Sequence, residues 1–165
     1  MFRQLSDFFD VWKHEREATA KVFSALTDNV LKEKKNHNLR SLGRLAGHII
    51  ETLREMPSRA GLNIEYHDEV LRYNNVKDIL TNYKQACDEL ESAISAHWND
   101  SMLTKEVELY GEKWKIGQVL FTIITHQAHH RAQMTVLMRL VGLTLPGIYG
   151  PSKEEWAAIG MPAME

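Results

Sequence analysis

Four stretches of this sequence repeat apolar residues every three or four positions, and nothing of comparable length alternates as a strand would. A helix with such a stripe must bury it against another helix, so four of them call for a bundle. The first stripe, Leu5, Phe9, Trp12, Thr19, Phe23, Leu26 and Val30, predicts a helix over residues 2–30. The second, Leu42, Leu45, Ile49, Leu53 and Met56, predicts one over 39–56. Pro57 would close it, because proline disfavours helical geometry in the residue before it. In the third, Asn75 is placed to cap the helix and Asp78 to meet its dipole, ahead of Val76, Ile79, Tyr83, Cys87, Leu90 and Ile94. The fourth spans 116–141, with Val119, Leu120, Ile123, Met134, Leu137 and Val141 inward. Gly142 suits the left-handed residue that ends such a helix, and Pro146 follows.

Between the third and fourth stripes, Val107-Glu108-Leu109-Tyr110 precedes Gly111, a pattern compatible with a small hairpin or an extended loop. Near the end, Ser152 and Glu155 form a capping-box pattern ahead of Trp156 and Ile159, which predicts one short helix. The expected architecture is all-α. It is an up-and-down four-helix bundle over residues 1–165, with a hairpin or loop before the fourth helix and a short C-terminal helix.

Composition narrows the function classes. Twenty basic against 22 acidic residues give a net charge of -2. That balance lacks the cationic surplus that non-specific nucleic-acid binding needs. No apolar window reaches the ~18 residues of a membrane span, and the first residues lack the apolar core of a signal peptide. A cytoplasmic location is the expectation. The single cysteine, Cys87, excludes an internal disulfide and a multi-cysteine zinc site. Its place on the third stripe reads as a buried, inert thiol.

Three of the eight histidines crowd into His126-Gln127-Ala128-His129-His130. Residues four apart lie ~5–6 Å apart on one helix face, so His126 and His130 can converge on one ion. With Ile123 as the centre of the apolar stripe, His130 falls about 20° off centre and His126 about 60°, both inward, while His129 falls about 120° away. Spacing leaves two readings open: metal ligands, or core histidines hydrogen-bonded to neighbouring helices. A metal site also needs a third ligand. His48 is the one histidine within the second helix, at the edge of its stripe, and geometry alone does not select it. His14, His37 and His67 read as surface residues. His97 reads as a C-terminal or core residue of the third helix, with a fourth-ligand role as the alternative.

The segments Leu42 to Ile49 (LGRLAGHI), Gly117 to Gln133 with its HQAHHRAQ core, and Pro146 to Met161 (PGIYGPSKEEWAAIGM) resemble the DinB superfamily of bacterial metal-binding four-helix bundles. That family includes bacillithiol- and mycothiol-dependent enzymes. The resemblance covers nearly the whole chain. It implies a metal triad of His48, His126 and His130, with His129 a neighbour. Ala132 and Gln127 depart from residues that are often glycine and glutamate in the family.

His126-Gln127-x-x-His130 is the zincin pattern with its glutamate replaced, and glutamine cannot take a proton from a metal-bound water, so metalloprotease chemistry is not expected. Three neutral imidazoles would leave one divalent ion, zinc or nickel, with an open position. The resemblance implies that a low-molecular-weight thiol is activated there for attack on a small electrophile, as in an S-transferase. The alternative is a non-enzymatic metal-binding or dimerisation module. Family analogy implies a homodimer. Arg131, Gln133 and Tyr149 are candidates to line a substrate pocket, or equally ordinary packing and surface residues.

Overall fold

The computed structural model describes residues 2–34 and 36–162. Four helices carry the fold: α1 (Leu5–Ser24), α2 (Leu42–Arg59), α3 (Val76–His97) and α4 (Ile116–Leu140). A two-stranded antiparallel hairpin, β1 (Glu106–Leu109) with β2 (Glu112–Lys115), precedes α4. Short 3-10 helices occupy Asp28–Val30, Asp100–Thr104 and Trp156–Ile159. The expected all-α bundle is therefore present, with the hairpin rather than a plain loop and with a 3-10 turn as the C-terminal helix.

In the principal packing, α1 and α2 each lie against both α3 and α4. The stripes meet in one core, where Phe8, Trp12, Phe23, Tyr83, Leu90, Val119 and Met134 lose essentially all contact with water. Each such side chain contributes about 1.5–3 kcal/mol through burial. Trp12 donates its indole N–H to Glu91 at 2.8 Å, and Arg16 reaches Glu91 and Asp88 at 2.7 and 2.6 Å, pinning α1 to α3.

Several ends differ from the stripes. The apolar pattern of α1 continues through Leu26 and Val30, which are buried, yet the helix stops at Ser24. Thr27, Asp28 and Asn29 compete with helical bonding through their own side chains. Thr27 Oγ1 bonds Asn29 at 2.6 Å, and Asp28 accepts the Val76 N–H at the start of α3 at 2.7 Å.

Pro57 does not close α2, which begins at Leu42 and runs on to Arg59. The stop is Gly61, at φ +88°. Leu62 N–H donates to Pro57 O at 2.9 Å and Gly61 N–H to Ser58 O at 3.0 Å, the paired bonds of a Schellman end. With Pro57 in the last turn, only one helical bond is lost. Gly142 ends α4 in the same way, at φ +79°, with Leu143 N–H on Met138 O at 2.9 Å. Asn75 caps α3 as expected, accepting the Asp78 N–H at 2.8 Å. Tyr110 and Gly111, at φ +54° and +78°, make the two-residue turn between Leu109 and Glu112.

Candidate metal centre

α2 and α4 pack face to face, and their inward surfaces bring three imidazoles together. Ring centroids are 4.4 Å apart for His126 and His130, 4.5 Å for His48 and His130, and 5.1 Å for His48 and His126. One nitrogen from each ring lies within 4.8 Å of the other two, and no other group of three or more His, Cys, Asp or Glu among the described residues clusters in this way. His130 is buried, while His126 and His48 are half-buried. The edge position of His48 on its own stripe is what lets it reach across to α4.

The tautomers follow from the partners. His130 Nδ1 faces the Gln133 side-chain carbonyl at 2.8 Å, so that nitrogen carries the proton and Nε2 keeps its lone pair. Gln133 in turn donates its amide N–H to His129 at 3.0 Å. His48 Nδ1 faces the Glu51 carboxylate at 3.4 Å, which leaves its other nitrogen free. Glu51 is held by Arg44 at 2.9 Å and by the backbone N–H of Leu71. Burial pushes the Glu51 carboxyl up, but the bonds from His48, Leu71 and Arg44 outweigh it and hold the group below its ordinary value. A carboxylate and an amide thus orient two of the three imidazoles, an arrangement that commonly supports metal-ligating histidines.

Burial, reinforced by the neighbouring imidazoles, lowers the pKa of His126 to about 4. Burial does the same for His130, to about 4, against the opposing bond to Gln133. Both rings are neutral at pH 7 and offer lone pairs. His126 Nε2 lies 3.2 Å from His130 Nε2. Two ligands at ~2.0–2.1 Å from one ion at a near-tetrahedral angle stand about that far apart. The widest nitrogen pair, at up to 4.8 Å, closes by roughly 1.4 Å when all three share an ion at that bond length and angle. His126 Nδ1 is buried without a hydrogen-bond partner. Donor set, protonation and spacing all fit a divalent ion.

The other histidines stay outside the cluster. His14, His37, His67, His97 and His129 are exposed, and His67 is 3.1 Å from Glu65. Gln127, which stands where a zincin has its base, is buried and accepts the Tyr83 hydroxyl at 2.7 Å. Arg131 is no pocket residue. It is fully buried and bonded to Glu15 at 2.8 Å and Thr19 at 3.0 Å, with Tyr149 closing the network on Glu15 at 2.8 Å. Cys87 is buried on α3, and burial pushes its thiol up to about 12.

Two features escaped the histidine pattern. Glu51 follows His48 by three residues, one helical turn, and that spacing could have found it. Gly43 and Gly47 let the 71–73 segment cross α2 against bare backbone. A Cβ on Gly47 would sit 2.3 Å from Leu71 O, and one on Gly43 would sit 2.4 Å from Tyr73 O. This close approach is what brings the Leu71 N–H to Glu51.

The model of the DinB family matches residues 1–164. The chain belongs to the DinB family. Another relative is the uncharacterized protein YrdA of Bacillus subtilis strain 168, 38% identical over 164 residues, which are 99% of this chain and 98% of that protein. A crystal structure of a DinB-like protein from Bacillus cereus ATCC 10987 is 34% identical, with a TM-score of 0.85 over 90% of this chain and 100% of that one. The DinB-like protein YjoA of Bacillus subtilis shares the fold at 16% identity, with a TM-score of 0.69 over 87% of this chain and 98% of its own. This DinB chain has no helix among its described residues long and apolar enough to cross a membrane.

Proposed function

We propose that this chain holds one divalent ion, zinc or nickel, on His48, His126 and His130, and that it transfers the sulfur of a low-molecular-weight thiol to a small electrophile. The observation that carries the reading is the convergence of three imidazoles, two neutral by burial and two oriented by Glu51 and Gln133. A divalent ion on three neutral ligands keeps its full charge and favours the thiolate form of a coordinating thiol.

The chain's own residues define the rest. The nucleophile comes from outside the protein, because Cys87 is buried with its thiol held protonated. Gln127 is committed to Tyr83 and supplies no base. Glu51 is committed to His48, Arg44 and Leu71, and acts by orienting the ring. In the transfer, sulfur gains a bond to the electrophilic carbon, the leaving group departs with its bonding pair, and the thiol proton goes to solvent.

The test is consumption of cysteine, glutathione and bacillithiol against monochlorobimane and 1-chloro-2,4-dinitrobenzene. Metal-dependent turnover with at least one thiol, lost in His130→Ala, supports the proposal. Stoichiometric metal with no turnover for any pair overturns the transferase reading in favour of a non-enzymatic metal-binding module.

A further inference from the structure

Resting on that reading of the imidazole site, we propose that the cavity beside His130 takes an amphiphilic small-molecule anion, and that Arg40 grips its anionic group. A cavity of about 480 Å³ opens against His130 and Gln133, a size that suits a small molecule. Its walls are Leu39, Leu45, Val136 and Leu137. Leu39 and Val136 are 39% and 62% exposed, so apolar surface faces the opening with no covering element among the described residues.

The charge in this lining is one-sided. Among the described residues, Arg40 is the only Lys, Arg, Asp or Glu side chain in it. Seven of the arginines engage a carboxylate: Arg3, Arg16, Arg44, Arg54, Arg59, Arg131 and Arg139. Arg40 has no such partner among the described residues. It lines the same cavity as His130. A planar, permanently charged fork at the rim of an apolar cavity matches a carboxylate on an apolar body. The larger cavity, about 730 Å³, is lined by Glu51, Glu65, Glu69 and Glu89 against Arg54, and none of the three clustered histidines lines it. Its charge favours the opposite sign.

The experiment titrates hexanoate and 1-hexanol into the full chain, as isolated and after chelation, reading methyl NMR shifts. Hexanoate should shift the methyls of Leu39, Leu45, Val136 and Leu137 in both preparations. Arg40→Gln should weaken hexanoate ~10-fold or more, the loss of one charge-assisted bond, and leave 1-hexanol within about two-fold. Arg40 is exposed on a loop, so the variant keeps its fold by circular dichroism. Unchanged hexanoate affinity in the variant overturns the proposal. So does binding that chelation abolishes and Arg40→Gln does not touch, since the anion would then sit on the metal. Failure of the chain to take up metal, with the hexanoate results intact, removes the metal reading and leaves this cavity standing. In the turnover assay, Arg40→Gln should raise KM for whichever co-substrate carries the anion, thiol or electrophile, and a change in neither counts against it.

Discussion

His126 and His130 turn their Nε2 atoms toward each other at 3.2 Å across one turn of α4. Because the Nδ1–H of His130 donates to the Gln133 carbonyl, that ring presents its Nε2 lone pair to its neighbour. His48 presents another, since its Nδ1 faces Glu51. Lone pairs aimed into one space are stabilised by a shared cation.

The supporting residues should therefore tune metal affinity without being ligands. Gln133→Leu and Glu51→Gln are each expected to weaken zinc binding by ~10–100-fold, measured by competition with a chromophoric chelator. Affinities equal to wild type in both variants would show that neither residue orients a ligand.

The metal-free chain should lose stability in mild acid. His126 and His130 take up protons near pH 4 when folded and near 6.5 when unfolded. Between those values the unfolded chain binds more protons, so stability rises with pH. The contribution is complete above about 6.5 and is lost as pH falls toward 4. Melting of chelated protein across this window should show a fall in Tm that His126→Asn/His130→Asn largely lacks. Parallel curves would contradict the burial assigned to these rings.

Gly47→Ala is expected to lower both stability and metal affinity. Its Cβ would displace Leu71, whose N–H holds Glu51, whose carboxylate orients His48. The expected loss of stability is ~1–3 kcal/mol, the range for overpacking, read by urea unfolding, with weaker zinc uptake alongside. Unaltered zinc affinity would break the chain of contacts from Gly47 to His48.

Much of this arrangement was legible in the sequence, because helical stripes report burial directly. The inward side of α4, the Asn75 cap and the Gly142 stop all follow from local rules that the fold obeys. The end of α1 did not, since Leu26 and Val30 are buried without being helical, and periodicity reports burial rather than hydrogen bonding. Pro57 misled because a proline in a last turn forfeits one bond, and Gly61 is the stronger signal. At the site, the spacing of His126 and His130 was readable. His48 was not selected by its own stripe, since its distance to α4 depends on how two helices pack. The 71–73 segment reaches Glu51 from ~20 residues away, a contact no local period encodes.

The buried ion pair should show strong asymmetry between single and double substitution. Arg131→Met would strand Glu15 in the core and cost ~3–5 kcal/mol. Glu15→Leu in the same chain should restore most of that. Tyr149→Phe removes the hydroxyl that donates to Glu15 and accepts from Arg131 and is expected to cost ~1–3 kcal/mol. Urea unfolding of the set checks this, and a double variant as unstable as Arg131→Met alone would contradict it.

The most direct test is elemental analysis of untagged protein after exposure to zinc or nickel and removal of free metal. The account predicts ~1 ion per chain in wild type, a three-imidazole site with an open position, and near-complete loss in His126→Ala and His130→Ala with helix content unchanged. Wild type without bound metal, or full occupancy in a variant lacking His48, His126 and His130 together, would contradict it.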